Sequence, residues 1–182
     1  MSKGAHGRSG LLCLPVETPW GWLAPVSRGA GIVRCCLPVA SREPAIARVG
    51  GGEKVAVVGG GELEDLDLAA ERLMRYFRGE TVAFDVPLDL RDVSVFSALV
   101  LAECNLIGYG DTSSYGELAL RVGCPGGARA VGQVMRRNPL APLVPCHRVL
   151  GAGGSLTGYG GGLELKRRLL ELEAAAGMQQ FG

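Results

Sequence analysis

Histidine, aromatic residues and long apolar runs are all scarce in this sequence. Histidine occurs only as His6 and His147, so imidazole chemistry has very few places to reside. The longest apolar stretch, residues 95–102, stops at Glu103, far short of the roughly 20 residues that a membrane helix needs. An apolar run over residues 11–16 follows Lys3 and Arg8, but Glu17 interrupts it and makes a poor secretory leader. The expectation is a cytoplasmic protein with no membrane partner. No C-x-x-C occurs among Cys13, Cys35, Cys36, Cys104, Cys124 and Cys146. A zinc site would need scattered ligands, and most of these thiols read as small buried hydrophobes.

Net charge is also nearly absent, at +1 from 19 basic and 18 acidic residues. Taken alone, that argues against a partner of high negative charge. The balance is a cancellation, however. Residues 1–50 carry +4, residues 51–107 carry −6, residues 108–150 carry +3, and the remainder is neutral. What the chain has in plenty is glycine, 29 of 182 residues, about twice the typical share of roughly 7%. There is no G-X-Y period, which excludes collagen. An apolar share of 47% suffices for a core, and the length allows one full domain or two small ones.

Thr18-Pro19-Trp20-Gly21-Trp22-Leu23 and Gly31-Ile32-Val33-Arg34-Cys35-Cys36-Leu37 read as two β segments flanking a Ser27-Arg28-Gly29 turn. Residues 54–58 form a third, ended by Gly59-Gly60-Gly61. Asp67 is placed to cap a helix over 67–78, in which Leu66, Ala69, Ala70, Leu73, Met74 and Phe77 follow helical spacing until Gly79 stops it. Residues 82–84 read as an edge strand. The first 90 residues therefore read as a small α/β unit whose acidic excess lies on a solvated surface.

Beyond residue 90 the pattern turns helical. Ser94 can cap a helix carrying Phe96, Leu99, Val100 and Leu106. Ser114-Tyr115-Gly116-Glu117 fits a capping box and puts Tyr115 on the first turn of a short helix. After the turn Gly123-Cys124-Pro125-Gly126-Gly127, a second helix covers about 128–137. Ala130, Val131, Val134 and Met135 are assigned to its inner face, with Arg129, Gln133, Arg136 and Arg137 elsewhere. Short helix, turn and basic helix match a helix-turn-helix, although on pattern alone the plainer reading is two ordinary core helices with solvated arginines. Pro139, Pro142 and Pro145 exclude regular helix and read as an extended segment through Cys146 and His147. Residues 151–162 hold seven glycines in twelve positions, suited to close backbone approach or to a flexible loop. A final helix covers 163–176.

Cys146 beside His147 is the sharpest feature. A thiol attacks as thiolate and needs a base. Neighbouring side chains in an extended segment point apart, so a bridging water would complete a relay, with Glu173 as a candidate to orient the imidazole. On the residues alone, a structural cysteine, a surface histidine and a surface glutamate explain the pattern equally well.

Pro145-Cys146-His147-Arg148-Val149 resembles the active-site signature of the O6-alkylguanine-DNA alkyltransferase family. Ala128-Arg129-Ala130-Val131-Gly132, Arg136-Arg137-Asn138-Pro139, Ser114-Tyr115-Gly116-Glu117, Thr157-Gly158-Tyr159-Gly160-Gly161-Gly162-Leu163 and Lys166-Arg167-Arg168-Leu169-Leu170-Glu171-Leu172-Glu173 fit the same family. Thr18-Pro19-Trp20-Gly21-Trp22, Tyr76-Phe77-Arg78-Gly79 and Val86-Pro87-Leu88-Asp89-Leu90 fit it more loosely.

The resemblance implies an N-terminal α/β domain over 1–90, ribonuclease-H-like, with a small antiparallel sheet and a helix. It implies a mostly α C-terminal domain over 91–182 with a winged-helix-like helix-turn-helix. The implied activity is a stoichiometric methylated-DNA–protein-cysteine methyltransferase that repairs DNA. An alkyl group on O6 of a flipped-out guanine, less efficiently on O4 of thymine, passes once and irreversibly to Cys146. The implied partner is double-stranded DNA bound through the minor groove by a monomer, nucleoid-associated in a prokaryote, with no cofactor and no metal. His147 would act through water as base, Glu173 would orient it, Asn138 would brace the preceding turn, and Tyr115 would donate to the leaving base. Arg129 would fill the gap left by the base, with Ala128, Ala130, Gln133 and Arg136 at the DNA. Met135, Pro145, Val149, Tyr159 and Gly160 would line the pocket, with backbone at Cys146 and Val149 reading the guanine amine.

Departures from the family pattern are Gly108 where proline is common, Gly160 for a commoner alanine or serine, and apolar Leu99 and Leu106 at usually polar positions. His6, Cys13, Cys35 and Cys36 do not match the zinc pattern of some relatives. A lesion-binding relative without repair activity usually lacks the cysteine present here at Cys146. A cysteine hydrolase would lack a visible oxyanion motif and leave the basic helix unexplained.

Overall fold

The computed structural model describes residues 10–179; His6 lies outside them. The first half contains β1 (Leu11–Cys13), β2 (Val16–Thr18), β3 (Gly21–Leu23), β4 (Val26–Ser27), β5 (Ile32–Arg34), α1 (Arg42–Gly50), β6 (Val55–Val57) and α2 (Glu64–Phe77). The sheet runs β5-β4-β1-β6. The small antiparallel sheet is present as β5-β4-β1, and β6 joins it parallel to β1.

Residues 18–23 are not one strand. They turn at Pro19-Trp20, so that Thr18 pairs with Gly21 in a β2–β3 hairpin. Gly21 has φ 116°, and a Cβ there would lie 2.4 Å from the carbonyl oxygen of Val39. Only glycine combines that backbone with that approach. Alternation along β1 explains why both of its faces are buried. Leu12 faces the main core with Ile32, whereas Leu11 and Cys13 join Val26, Val33, Ala45 and Val49 in a smaller cluster against α1. Sequence patterning assigns nothing to α1, because its apolar positions are few and Pro44 occupies its first turn.

Two further expectations are corrected. Asp67 is not the cap of α2, which begins a turn earlier with Leu63 at the N-cap. Both carboxylate oxygens of Asp67 instead accept from the backbone N–H of Gly61 at 2.9 Å. Residues 82–84 form no strand, although Val82, Phe84 and Val86 are buried and the residues between them exposed. Their alternation comes from an extended segment packed on the core without a ladder partner. The chain reaches the sheet only where Leu88 bridges Ile32.

The second half contains α3 (Val95–Asn105), β7 (Ser113–Ser114), α4 (Tyr115–Arg121), α5 (Ala128–Arg136), β8 (Val149–Leu150) and α6 (Leu163–Gln179). Ser94 caps α3, accepting from Ser97 N–H at 3.2 Å. Both halves of the Ser114–Glu117 capping box are made, at 3.1 and 2.6 Å. On α5 the buried face centres on Val131 and Met135, Val134 is half-buried, and Ala130 is exposed rather than inward. One helical step of about 100° carries Ala130 from the core to the outer face. The main core crosses between the halves, joining Leu12, Leu73 and Phe77 to Val100, Leu118, Val131 and Leu169. Among the described residues no helix is long and apolar enough to cross a membrane.

Candidate active site

The proline-rich run 139–145 is held from one side chain. Asn138 donates from Nδ2 to the carbonyl of Val144 at 2.9 Å, while its Oδ1 accepts from Leu140 N–H at 3.0 Å. The chain then enters a 3-10 turn, Cys146–Arg148, and not the extended segment expected. Arg148 N–H closes this turn on the carbonyl of Pro145 at 2.9 Å. Cys146, His147 and Arg148 thus leave one tight turn, and all three are buried.

His147 points to α6, where Lys166, Leu169, Glu173 and Ala176 share one buried face. Its Nε2 lies 2.8 Å from Glu173 Oε1. A carboxylate can only accept, so Nε2 carries the proton and Nδ1 keeps its lone pair. Nδ1 is buried with no protein hydrogen-bond partner among the described residues. Tyr76, from α2, donates to the same Oε1 at 2.7 Å and lies 3.2 Å from His147 Nε2. Arg148 donates from Nε to Glu173 Oε2 at 3.0 Å and from Nη2 to Oε1 at 2.9 Å. Its Nη1 donates to the carbonyl of Ile107 at 2.6 Å. Gly110 N–H completes the set on Oε2 at 3.0 Å.

Burial alone would raise the Glu173 pKa. The hydrogen bonds from His147 and Arg148, with the charge of Arg148, outweigh it and hold the carboxyl at about 2. Burial also pushes the His147 pKa down despite Glu173, which keeps the imidazole neutral and able to accept a proton. The Cys146 thiol is pushed up by burial, against a hydrogen bond with Asn138 and the charge of Lys166. A thiol held protonated in this way needs a base to become a nucleophile. Lys166 is fully buried and donates to the carbonyls of Val149 at 2.6 Å and Thr157 at 3.2 Å.

Two cavities meet here, and Arg136, Tyr159 and Gly160 line both. The first, about 320 Å³, reaches Cys146, Met135 and Asn138 and extends to Arg34, Leu37 and Arg48 of the first half. The second, about 780 Å³, is lined by Tyr115, Ala128, Arg129 and the glycine-rich segment at Gly151, Gly158 and Gly160. A Cβ on Gly161 would lie 2.7 Å from Leu37 Cδ1 and 2.6 Å from Leu165 Cδ2, so the loop lies close against both leucine side chains.

Of the expected pocket residues, Met135, Tyr159 and Gly160 stand on cavity walls, while Pro145 and Val149 are buried behind them. The Val149 carbonyl already accepts from Lys166, which leaves it one free lone pair. Arg129, Ala130, Gln133 and Arg136 are exposed along α5. The sequence reading gave no role to Tyr76, Arg148 or Lys166. For Lys166 a signal existed: it falls three residues before Leu169 and seven before Glu173, on the inner face.

A family model described as 6-O-methylguanine DNA methyltransferase, DNA binding domain, matches residues 95–175. The crystal structure of Mycobacterium tuberculosis O6-methylguanine methyltransferase is 39% identical, with a TM-score of 0.74 over 91% of this chain and 94% of that one. The chain belongs to the O6-methylguanine-DNA methyltransferase family. The family member OGT of Mycobacterium tuberculosis, in complex with DNA, superposes with a TM-score of 0.75 at 40% identity, over 91% of this chain and 94% of that one. The curated methylated-DNA–protein-cysteine methyltransferase of Mycobacterium tuberculosis H37Rv is 55% identical over 105 residues, 58% of this chain and 63% of its own length. The Methanosarcina acetivorans counterpart is 47% identical over 107 residues, 59% of this chain and 68% of its own. The sequence match thus spans less than two thirds of the mycobacterial relative. The methyltransferase family model covers Cys146, His147, Lys166 and Glu173, whereas Tyr76, Arg34 and Arg48 lie outside it.

Proposed function

We propose that the protein repairs DNA by moving the alkyl group of O6-alkylguanine, and less efficiently of O4-alkylthymine, to Cys146. The observation that carries this reading is a buried thiol next to a neutral histidine. The Nε2 of that histidine is engaged by Glu173 at 2.8 Å, so its Nδ1 remains basic. The damaged nucleotide is flipped from the duplex into the cavity walled by Tyr115 and the glycine-rich segment. α5 enters the minor groove, where exposed Arg129 fills the gap and small Ala128 and Ala130 permit close approach. Gln133 and Arg136 continue that surface.

The reaction is one displacement. His147 Nδ1 takes the thiol proton through a water molecule, and Glu173 stabilises the imidazolium. Cys146 Sγ forms a bond to the alkyl carbon as the carbon–O6 bond breaks. The electron pair leaves on the guanine, where the Tyr115 hydroxyl donates to the growing charge. Asn138 holds the turn that aims Sγ. Met135, Tyr159 and Gly160 wall the base, with Pro145 and Val149 behind them. The thioether is stable, so each molecule works once, as a monomer, with no cofactor and no metal, on the cytoplasmic side where the DNA lies.

The test is intact mass after incubation with duplex DNA carrying O6-methylguanine. The expected product is a single methyl adduct on Cys146, absent from Cys146→Ala. Repeated turnover, or an unmodified protein beside intact lesion, would overturn the reading.

A further inference from the structure

The chamber that Cys146 faces is larger than a methyl transfer requires. A methyl group is about the size of one water molecule, whose share of liquid volume is about 30 Å³. The chamber holds about 320 Å³. Its walls are also charged with one sign: Arg34, Arg48 and Arg136 line it, and no aspartate or glutamate does. Arg34 is partly committed, donating to the Val49 and Gly50 carbonyls at 3.2 Å and to Glu53 at 2.6 Å. Arg48 and Arg136 make no ion pair among the described residues. The base cavity and this chamber meet at Arg136, Tyr159 and Gly160, and Cys146 lines the chamber, so the chamber is the space beside the sulfur in which a longer alkyl arm has room.

We propose that this chamber receives the alkyl arm of the lesion and favours arms ending in a carboxylate, with Arg48 as the residue that sets the preference. The inference rests on the alkyl-transfer reading and deepens it to a substrate class. For an O6-carboxymethyl lesion, Sγ bonds to the methylene carbon and the carbon–O6 bond breaks. The guanine departs with that electron pair and gains the proton that the thiol lost, and Cys146 becomes S-carboxymethylcysteine. An anionic arm beside a forming thiolate is repelled in a neutral chamber. The unpaired guanidinium of Arg48 offsets that repulsion and can bind the carboxylate in fork geometry. Arg48 is exposed in the last turn of α1, so replacing it does not disturb the core.

The experiment measures adduct formation on Cys146 with duplexes carrying O6-carboxymethylguanine or the neutral, similarly sized O6-propylguanine. O6-Methylguanine serves as the reference lesion. In the parent protein the carboxymethyl lesion should react faster than the propyl one. Arg48→Gln should lower the carboxymethyl-to-propyl rate ratio by about fivefold, the worth of a partly exposed ion pair. Arg48→Lys should keep most of it. A parent ratio at or below one, or a ratio that Arg48→Gln leaves unmoved, would overturn the proposal. Absence of any adduct from the methyl reference would instead overturn the alkyl-transfer reading itself.

Discussion

Tyr76 and His147 converge on a single carboxylate oxygen, Oε1 of Glu173, at 2.7 and 2.8 Å. The tyrosine hydroxyl therefore competes with the imidazole for the charge that should stabilise its protonated form.

Replacing Tyr76 by phenylalanine removes that competition and leaves the ring packed against Phe77, Phe84 and Tyr109. The pKa of His147 should rise, read by NMR titration of its imidazole. Stability in urea should fall by about 1–2 kcal/mol for the lost buried hydrogen bond. An unchanged or lowered His147 pKa would remove the competitive role of Tyr76.

Glu173→Gln leaves the buried Arg148 guanidinium without its counter-charge. The cost should be about 3–5 kcal/mol in equilibrium urea unfolding, as for other buried pairs broken from one side. Arg148→Met in the same chain should recover part of it, because neither charge then remains unpaired. Additive losses in the double variant would contradict the coupling.

Acid should weaken the fold in two stages. His147 has its pKa lowered by burial. Below about pH 6.5 the unfolded chain therefore takes a proton that the folded imidazole resists, and stability falls. Glu173 is held at about 2. Its contribution is fully present above the ordinary carboxylate value of about 4.3 and disappears as pH drops through about 2. The urea midpoint, followed from about pH 7 downward, should decline in both windows. A midpoint that rises between about pH 7 and 5 would show that His147 is protonated in the fold.

Lys166→Met should raise the pKa of Cys146, because the ammonium charge that lowers it is lost, and should slow alkylation of Cys146 by iodoacetamide at neutral pH. Raising the pH should recover much of the rate. It should also cost about 1–3 kcal/mol, since the Val149 carbonyl loses its buried donor. A rate deficit that persists at high pH would assign Lys166 a purely structural task.

Arg129→Ala should slow repair of duplex DNA more than reaction with free O6-alkylguanine, compared by the rates of Cys146 modification. Arg129 is exposed and lines the outer cavity, so a free base has no gap for it to fill. Equal losses on both substrates would remove the gap-filling role.

The helical half was largely readable because its signals are local. Ser94, Ser114 and Glu117 satisfy backbone groups within one turn, so spacing alone reveals them. The first half depends on distant neighbours. Whether Val82, Phe84 and Val86 form a strand is decided by what lies beside them, and alternation is blind to hydrogen-bond partners. The proposed relay was half visible. Cys146, His147 and Glu173 carry chemistry by residue type, but Tyr76 falls outside the apolar spacing of α2 and enters only through the loose family match at residues 76–79. Only burial of its hydroxyl, which then demands a partner, marks it out. Cys146 lies on a 3-10 turn and not in the expected extended segment because prolines exclude regular helix without excluding a 3-10 turn.

Glu173 gathers its donors from α2, from the loop after α3, and from the turn of the reactive thiol, which supplies both His147 and Arg148. The seam between the two halves of the chain therefore runs through the hydrogen-bond network of Glu173, the proton circuit of the proposed reaction. A fragment restricted to residues 95–175 would retain thiol, imidazole and carboxylate but lose the hydroxyl that tunes them, along with the Arg48 wall of the chamber. On the proposed reaction the sheet-bearing half is thus a working part of the site: a substitution at Tyr76 on α2 is expected to reach, through Glu173 and His147, a sulfur it never touches.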